Sequence, residues 1–286
     1  MSRPSPALVL EFPSDFTAAD RDRLVALLAE AGLVAIQEDD VTRPSRWTAH
    51  FVDADARDRA ARAVPRTAGF AKVMIEALEI ADDDWARRTQ ADLPAVRVGR
   101  IIVAPPWDLP AAAGIDSHSI LVEIEPSRGF GTGHHQSTRL CLNLLQQRQL
   151  SGCAVIDVGT GSGVLAIAAA RLGARPVVAI DVDPDAVENA QENAVRNGVA
   201  GIVDVAVLDL SAAALPPADV LTANLTGTLL QRHAGDLLRL TRPDGVLIIS
   251  GFTEEEAERV LNAFSPREMV ASAEEEGWMA YAIANR

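Results

Sequence analysis

Positive charge is scarce in this sequence: 26 lysines and arginines face 40 aspartates and glutamates over 286 residues, for a formal net charge of −14. Such a surface repels phosphate backbones and acidic membranes, which argues against nucleic acid as the substrate and favours a basic partner wherever charge steers encounter. Among the cations, Lys72 is the only lysine. Cysteine is nearly absent: Cys141 and Cys153 lie in apolar segments with no partner at metal-ligand spacing, so buried thiols are expected, without a disulfide or zinc site. Adjacent residues such as His134 and His135 seldom point at one ion, and no carboxylate or cysteine lies at ligand spacing, so no metal is expected. No stretch approaches the roughly 18 to 20 apolar residues that span a bilayer, and the start, Met1-Ser2-Arg3-Pro4-Ser5-Pro6, leads into no long apolar run. The expected location is the cytoplasm, with no membrane association. Internal repeats and low-complexity tracts are missing as well.

What is present is an apolar share of 48%, enough for a buried core, in a chain long enough for roughly two domains. Residues 1–80 read as strand 7–12, helix 18–31, strand 33–37, strand 47–52, helix 54–63 and strand 73–80, with Gly32 as the helix stop. The order βαββαβ predicts a small α+β ferredoxin-like domain. It offers no nucleophile, metal set or glycine loop, so its expected role is substrate recognition. Residues 81–118 read as a connector, containing acidic 82–84, Trp85, a strand-like stretch over 98–103 and Ala104-Pro105-Pro106-Trp107.

From residue 119 to 286 strands and helices alternate. Strands are expected over 120–124, 154–158, 176–180, 203–208, 220–223 and 246–250, and helices over 137–148, 164–172, 184–197, 229–240 and 254–264. Alternation on this scale predicts a mostly parallel, Rossmann-like α/β sheet with helices on both faces. The last two strands, 268–272 and 278–283, have no helix between them and should form an antiparallel hairpin at one edge.

The strongest local signal is Val155-Ile156-Asp157-Val158-Gly159-Thr160-Gly161-Ser162-Gly163, an apolar strand running into a glycine loop that opens a helix. Gly159, Gly161 and Gly163 permit a tight turn and close approach of backbone to a ligand, and the helix start supplies free N–H donors. Asp157 either orients the loop or reaches the ligand's amino group through water. Asp181, at the end of the next strand, is placed to accept both hydroxyls of a ribose, whether of an adenosyl cofactor or of NAD. Asp183-Pro184 reads as an N-cap and first-turn pair. Asn224 ends a third strand, so three strand tips converge on one crevice.

Together these residues resemble the class I methyltransferases. The segment Phe130-Gly131-Thr132-Gly133-His134-His135-Gln136-Ser137-Thr138-Arg139-Leu140-Cys141-Leu142 narrows the resemblance to the ribosomal protein L11 methyltransferase family. Ala166-Ile167-Ala168-Ala169, residues 193–199, Ser250-Gly251 and Glu275-Glu276-Gly277-Trp278 extend it over the C-terminal two-thirds, while the first third resembles the family in architecture only. The resemblance implies S-adenosyl-L-methionine as cofactor and ribosomal protein L11 as a protein substrate. It makes Thr138, Gly159, Asp181 and Asn224 cofactor-contacting positions. The chain departs from the family where His134 and Gln136-Ser137 replace Thr and Pro-Thr, where Thr160 replaces Cys, and where Leu225-Thr226-Gly227 replaces Ile-Leu-Ala after Asn224.

Methyl transfer from a sulfonium is an in-line displacement, so a neutral nucleophile must be aligned and water excluded. His135 and Asn224 are the candidates for positioning an amine, and for His135 a loop-ordering hydrogen bond is the competing reading. A methyltransferase for another protein or for a small-molecule amine, a nicotinamide-dependent oxidoreductase, and a cofactor-binding protein without turnover are the alternatives.

Overall fold

A computed structural model of the chain describes residues 5–13, 16–38, 45–80, 93–110, 116, 118–126 and 133–286. Trp85 and the motif residues Phe130, Gly131 and Thr132 lie outside the described residues. The chain forms two compact units, Met1–Thr89 and Gln90–Arg286.

The smaller unit runs β1 (Ser5–Glu11), α1 (Ala18–Ala31), β2 (Leu33–Glu38), β3 (Arg46–Phe51), α2 (Ala54–Ala63) and β4 (Met74–Ile80). Its sheet has the order β2-β3-β1-β4, with every neighbouring pair antiparallel, as two interleaved βαβ units produce. Gly32 stops α1 because its φ of +102° suits no side chain. At the start of α2 the Asp53 carboxylate accepts the Ala56 N–H at 2.7 Å. Leu8 and Leu10, two apart on β1, share one face with Leu24 and Leu28, four apart on α1, and all four are fully buried.

The larger unit begins with β5 (Val96–Val98), β6 (Ile101–Ala104) and β7 (Ile120–Glu123), a three-stranded sheet in that order. The expected single strand over 98–103 is thus a hairpin. Gly99, at φ +58°, makes the turn, and the Gln146 side chain closes it by accepting the Arg100 N–H at 3.0 Å and donating to the Val98 carbonyl at 3.1 Å. Gln146 ends α3 (Gln136–Gln146).

The elements that follow are β8 (Val155–Val158), α4 (Val164–Arg171), β9 (Val177–Asp181), α5 (Pro184–Arg196), β10 (Val203–Val207) and β11 (Ala218–Asn224). Then come α6 (Gly227–Arg232), α7 (Ala234–Arg239), β12 (Thr241–Thr253), α8 (Glu254–Ala263), β13 (Glu268–Glu275) and β14 (Trp278–Ala284). The seven strands from β8 onward are ordered β10-β9-β8-β11-β12-β14-β13; the first five are parallel, and β14 is antiparallel to both neighbours. This is the mostly parallel sheet with an antiparallel edge hairpin that the alternation predicts. The helix expected over 229–240 is two short helices, broken where His233 takes φ −106° and ψ 15°.

Residues alternate between the sheet's two faces. Val155 packs with Leu142, Leu165 and Val177 on one side, Ile156 with Ile180, Leu221 and Ile249 on the other. Helix α4, Val-Leu-Ala-Ile-Ala-Ala-Ala before Arg171, is apolar all round and buried over those seven residues. Cys141 is buried, and burial pushes its thiol up, away from reactivity.

Candidate active site

Strand order reverses at β8: the chain first adds β9 and β10 on one side, then crosses to β11 on the other. A crevice forms at such a reversal, beyond the carboxyl ends of the strands. Gly159, Asp181 and Asn224 stand at the tips of β8, β9 and β11 around it.

The glycine loop is held by its own backbone. The N–H groups of Gly159 and Thr160 donate to the Ile180 carbonyl at 2.9 and 3.1 Å, and that of Gly163 to the Thr160 carbonyl at 2.9 Å. Gly159, Gly161 and Gly163 all have positive φ, between +54° and +82°. A Cβ on Gly159 would stand 2.4 Å from Leu225 Cδ2, and one on Gly163 3.1 Å from Ala190 Cβ, so both packing and backbone conformation require glycine there.

Asp157 lies beneath the loop, 1% exposed. Its carboxylate accepts hydroxyl bonds from Thr160 at 2.7 Å and Thr222 at 2.6 Å, so the side chain ties the loop to β11. Burial pushes its carboxyl up to about 6, against the pull of the two hydroxyls. Thr160 is therefore used in the fold, as the partner of Asp157.

Asp181 is half-buried at the tip of β9. Its Oδ2 accepts the Gly161 N–H at 2.9 Å and its Oδ1 the Asp183 N–H at 3.1 Å. Asp183 is the N-cap of α5, accepting the Asp185 N–H at 3.0 Å.

On the other side of the crevice, Asn224 Nδ2 donates to Thr138 Oγ1 at 3.2 Å, joining β11 to the first turn of α3. Thr138 is 2% exposed. His135 is the N-cap of α3: Nδ1 accepts the Ser137 N–H at 3.3 Å and lies 2.8 Å from Ser137 Oγ. With Nδ1 an acceptor, the neutral ring carries its proton on Nε2, an assignment made from this network. Burial, and then the Arg139 charge, lower the pKa and keep the ring neutral. A ring held this way offers a donor at Nε2, and of the two readings of His135 the geometry supports the loop-ordering one. His134 turns away, with Nε2 2.7 Å from the Pro94 carbonyl.

Sequence reasoning passed over the contacts that hold this side together. Arg139 grips the Glu275 carboxylate through Nε at 3.0 and 3.1 Å and Nη2 at 2.7 Å, and also donates to the His134 carbonyl. Gln136 donates to Glu276 at 2.5 Å, and the His135 ring meets Trp278 edge-on, 4.5 Å between centroids. Their only signal in the sequence was the Glu-Glu-Gly-Trp resemblance. Gly251 sits at a bulge in β12 with φ +96°, where a Cβ would be 2.4 Å from the Leu225 carbonyl oxygen and 3.1 Å from Asn224 Oδ1.

Residues 17–286 match the model of a protein family described as ribosomal protein L11 methyltransferase. The ribosomal protein L11 methyltransferase of Pelotomaculum thermopropionicum is 42% identical over 207 residues, 71% of this chain and 66% of that protein. That of Cupriavidus pinatubonensis is 38% identical over 82% of this chain and 77% of its own length. The crystal structure of the ribosomal protein L11 methylase from Lactobacillus delbrueckii subsp. bulgaricus is similar at a TM-score of 0.61 and 26% identity, covering 66% of this chain and 97% of that one.

Proposed function

Because the chain belongs to the ribosomal protein L11 methyltransferase family, we propose that it transfers methyl groups from S-adenosyl-L-methionine to amino groups of ribosomal protein L11. The observation that carries this reading is the meeting of the glycine loop, Asp181 and Asn224 at one crevice, in a chain matched to that family from residue 17 to 286.

The residues present fit the cofactor. Three positive-φ glycines let the loop backbone approach a ligand closely, and the two side chains between them, Thr160 and Ser162, are buried. A carboxylate has about four acceptor positions; Asp181 uses one for Gly161 and one for Asp183, and the remainder suit the two hydroxyls of a ribose. When bound, S-adenosyl-L-methionine supplies an electrophilic methyl group on a cationic sulfur.

The chain's own residues align the acceptor. A lysine amine, with a pKa of about 10.4, is almost wholly protonated at pH 7, so the site must take it up as the neutral amine. Apolar walls and a neighbouring positive charge both favour that form. With Nδ2 fixed on Thr138, Asn224 presents Oδ1 as an acceptor for an amine N–H, which turns the nitrogen lone pair toward the methyl group. His135 holds the start of α3, and with it Thr138, in place; the proton leaves to solvent.

In this reading residues 1–80 deliver the substrate. A cleft there, lined by Pro13, Phe16, Asp20, Gly69, Ala71 and Lys72, combines an aromatic wall with charges of both signs. The net charge of −14 favours a basic protein over RNA as the acceptor. Among the described residues no helix is long and apolar enough to cross a membrane, and a ribosomal substrate would place the reaction in the cytoplasm.

Incubation with labelled S-adenosyl-L-methionine and ribosomal fractions tests the proposal. Label should enter the L11 band. Label on RNA or on small molecules alone contradicts it.

A further inference from the structure

Asn189 and Asn193 on α5 and its C-cap Asn197 stand at four-residue intervals and meet one stretch of chain, the end of β7 and its continuation. Asn197 Oδ1 accepts the Glu123 N–H at 2.9 Å, and its Nδ2 donates to the Glu123 carbonyl at 2.6 Å. Asn193 Oδ1 accepts the Glu125 N–H at 2.9 Å, and Asn193 and Asn189 both reach the Glu125 carbonyl at 3.4 Å. The spacing explains the match. Four helical residues rise about 6 Å and two strand residues about 6.6 Å, so side-chain amides one turn apart meet alternate backbone positions. Since β6 occupies the other side of β7, the asparagines act as the missing neighbour strand. Arg196 adds an ion pair to Glu125 at 2.9 Å.

Asn193 differs from Asn197 in two respects. It is fully buried, and its Nδ2 also donates at 3.0 Å to the carbonyl of Ser162, within the glycine loop. One amide thus holds both the loop and the backbone at Glu125.

We infer that Asn193 is a positioning residue for the transfer reaction, setting the register between the glycine loop and the Glu125 end of the β7 segment. The inference rests on the methyltransferase reading of the crevice. A comparison of Asn193→Ala with Asn197→Ala in the full chain tests it, because both lose bonds to the same strand and only the first loses the bond to the glycine loop. Both should lower Tm, Asn193→Ala the more, since it is fully buried and loses the further bond to Ser162. Asn193→Ala should weaken adenosylhomocysteine binding in calorimetry by roughly tenfold, the worth of one buried hydrogen bond, and lower kcat at least as much. Asn197→Ala should leave both within about twofold, since its bonds do not reach the loop. If Asn193→Ala does not fold, Asn193→Ser serves in the same comparison. Binding and kcat equal to those of the unmodified chain, or losses that match between the two positions, would overturn the inference. The binding measurement uses no methyl acceptor, so its outcome is independent of whether L11 is the substrate.

Discussion

The backbone N–H of Gly161 donates to Asp181 Oδ2 at 2.9 Å, so the carboxylate proposed to hold the ribose also closes the glycine loop. Asp181→Ala should therefore weaken binding and folding together. Loss of bonds to a charged acceptor, each worth about 1.5 to 3 kcal/mol, predicts a fall in adenosylmethionine affinity of about tenfold to a few hundredfold. Tm should fall by about 2–4 °C for each kcal/mol of stability lost. Asp183→Ala removes only a helix cap and should cost roughly 1 kcal/mol with affinity little changed. Calorimetry beside thermal melts checks both, and a larger affinity loss for Asp183→Ala would misplace the ribose.

Asp157 makes a prediction in pH. Its carboxyl is raised in the folded state from 3.8 to about 6, so folding favours the protonated form. The stability this provides is present below about pH 4 and is lost as pH rises through about 6. The rise corresponds to about 3 kcal/mol. Asp157→Asn carries no titrating group and should gain on the unmodified chain between about pH 4 and 6.5. Melting curves across that range would show the opposite trend if the carboxylate were stabilised as an anion.

Gly251→Ala tests the bulge beside Asn224. The new Cβ would meet backbone, the Leu225 carbonyl at 2.4 Å, at a φ of +96°. Strain of this kind costs of order 1–3 kcal/mol, and relieving it moves Asn224 and Leu225. Steady-state kinetics should show kcat falling more than adenosylhomocysteine affinity. An unchanged kcat would mean that Asn224 has no role in aligning the acceptor.

Much of the architecture was legible because its signals are local. Short apolar runs such as Val155 to Val158 and an apolar helix such as α4 are set by neighbouring residues, and so were the glycine loop and the Asp183 cap. What escaped depends on partners distant in sequence. The turn at Gly99 is closed by Gln146, and α3 is held by Glu275 and Glu276, more than a hundred residues on. The structural use of Asp181 was hidden for the same reason: its partner Gly161 lies across a βαβ unit. The partners of the asparagines at 189, 193 and 197 lie at the end of β7 and on its continuation, more than sixty residues earlier.

The departures at Gln136 and Ser137 are absorbed locally, which argues for a working site. Ser137 meets the His135 ring, and Gln136 binds Glu276. Gln136 is the first residue of α3, where proline is well accepted because its missing N–H has no helical partner. Gln136→Pro, the residue that the family resemblance places there, should change Tm by only a few degrees, the lost side-chain bond being offset by a pre-set φ. A large fall in melting temperature would show that the bond to Glu276 is essential to this side of the crevice.

Peptide mass mapping of purified ribosomal protein L11 after incubation with the chain and S-adenosyl-L-methionine tests the central claim most directly. The account predicts methyl groups on L11 amino nitrogens, on lysine side chains or the terminal amine, that are strongly reduced with the Asn224→Ala variant. Unmodified L11, under conditions where the chain binds the cofactor, would contradict it.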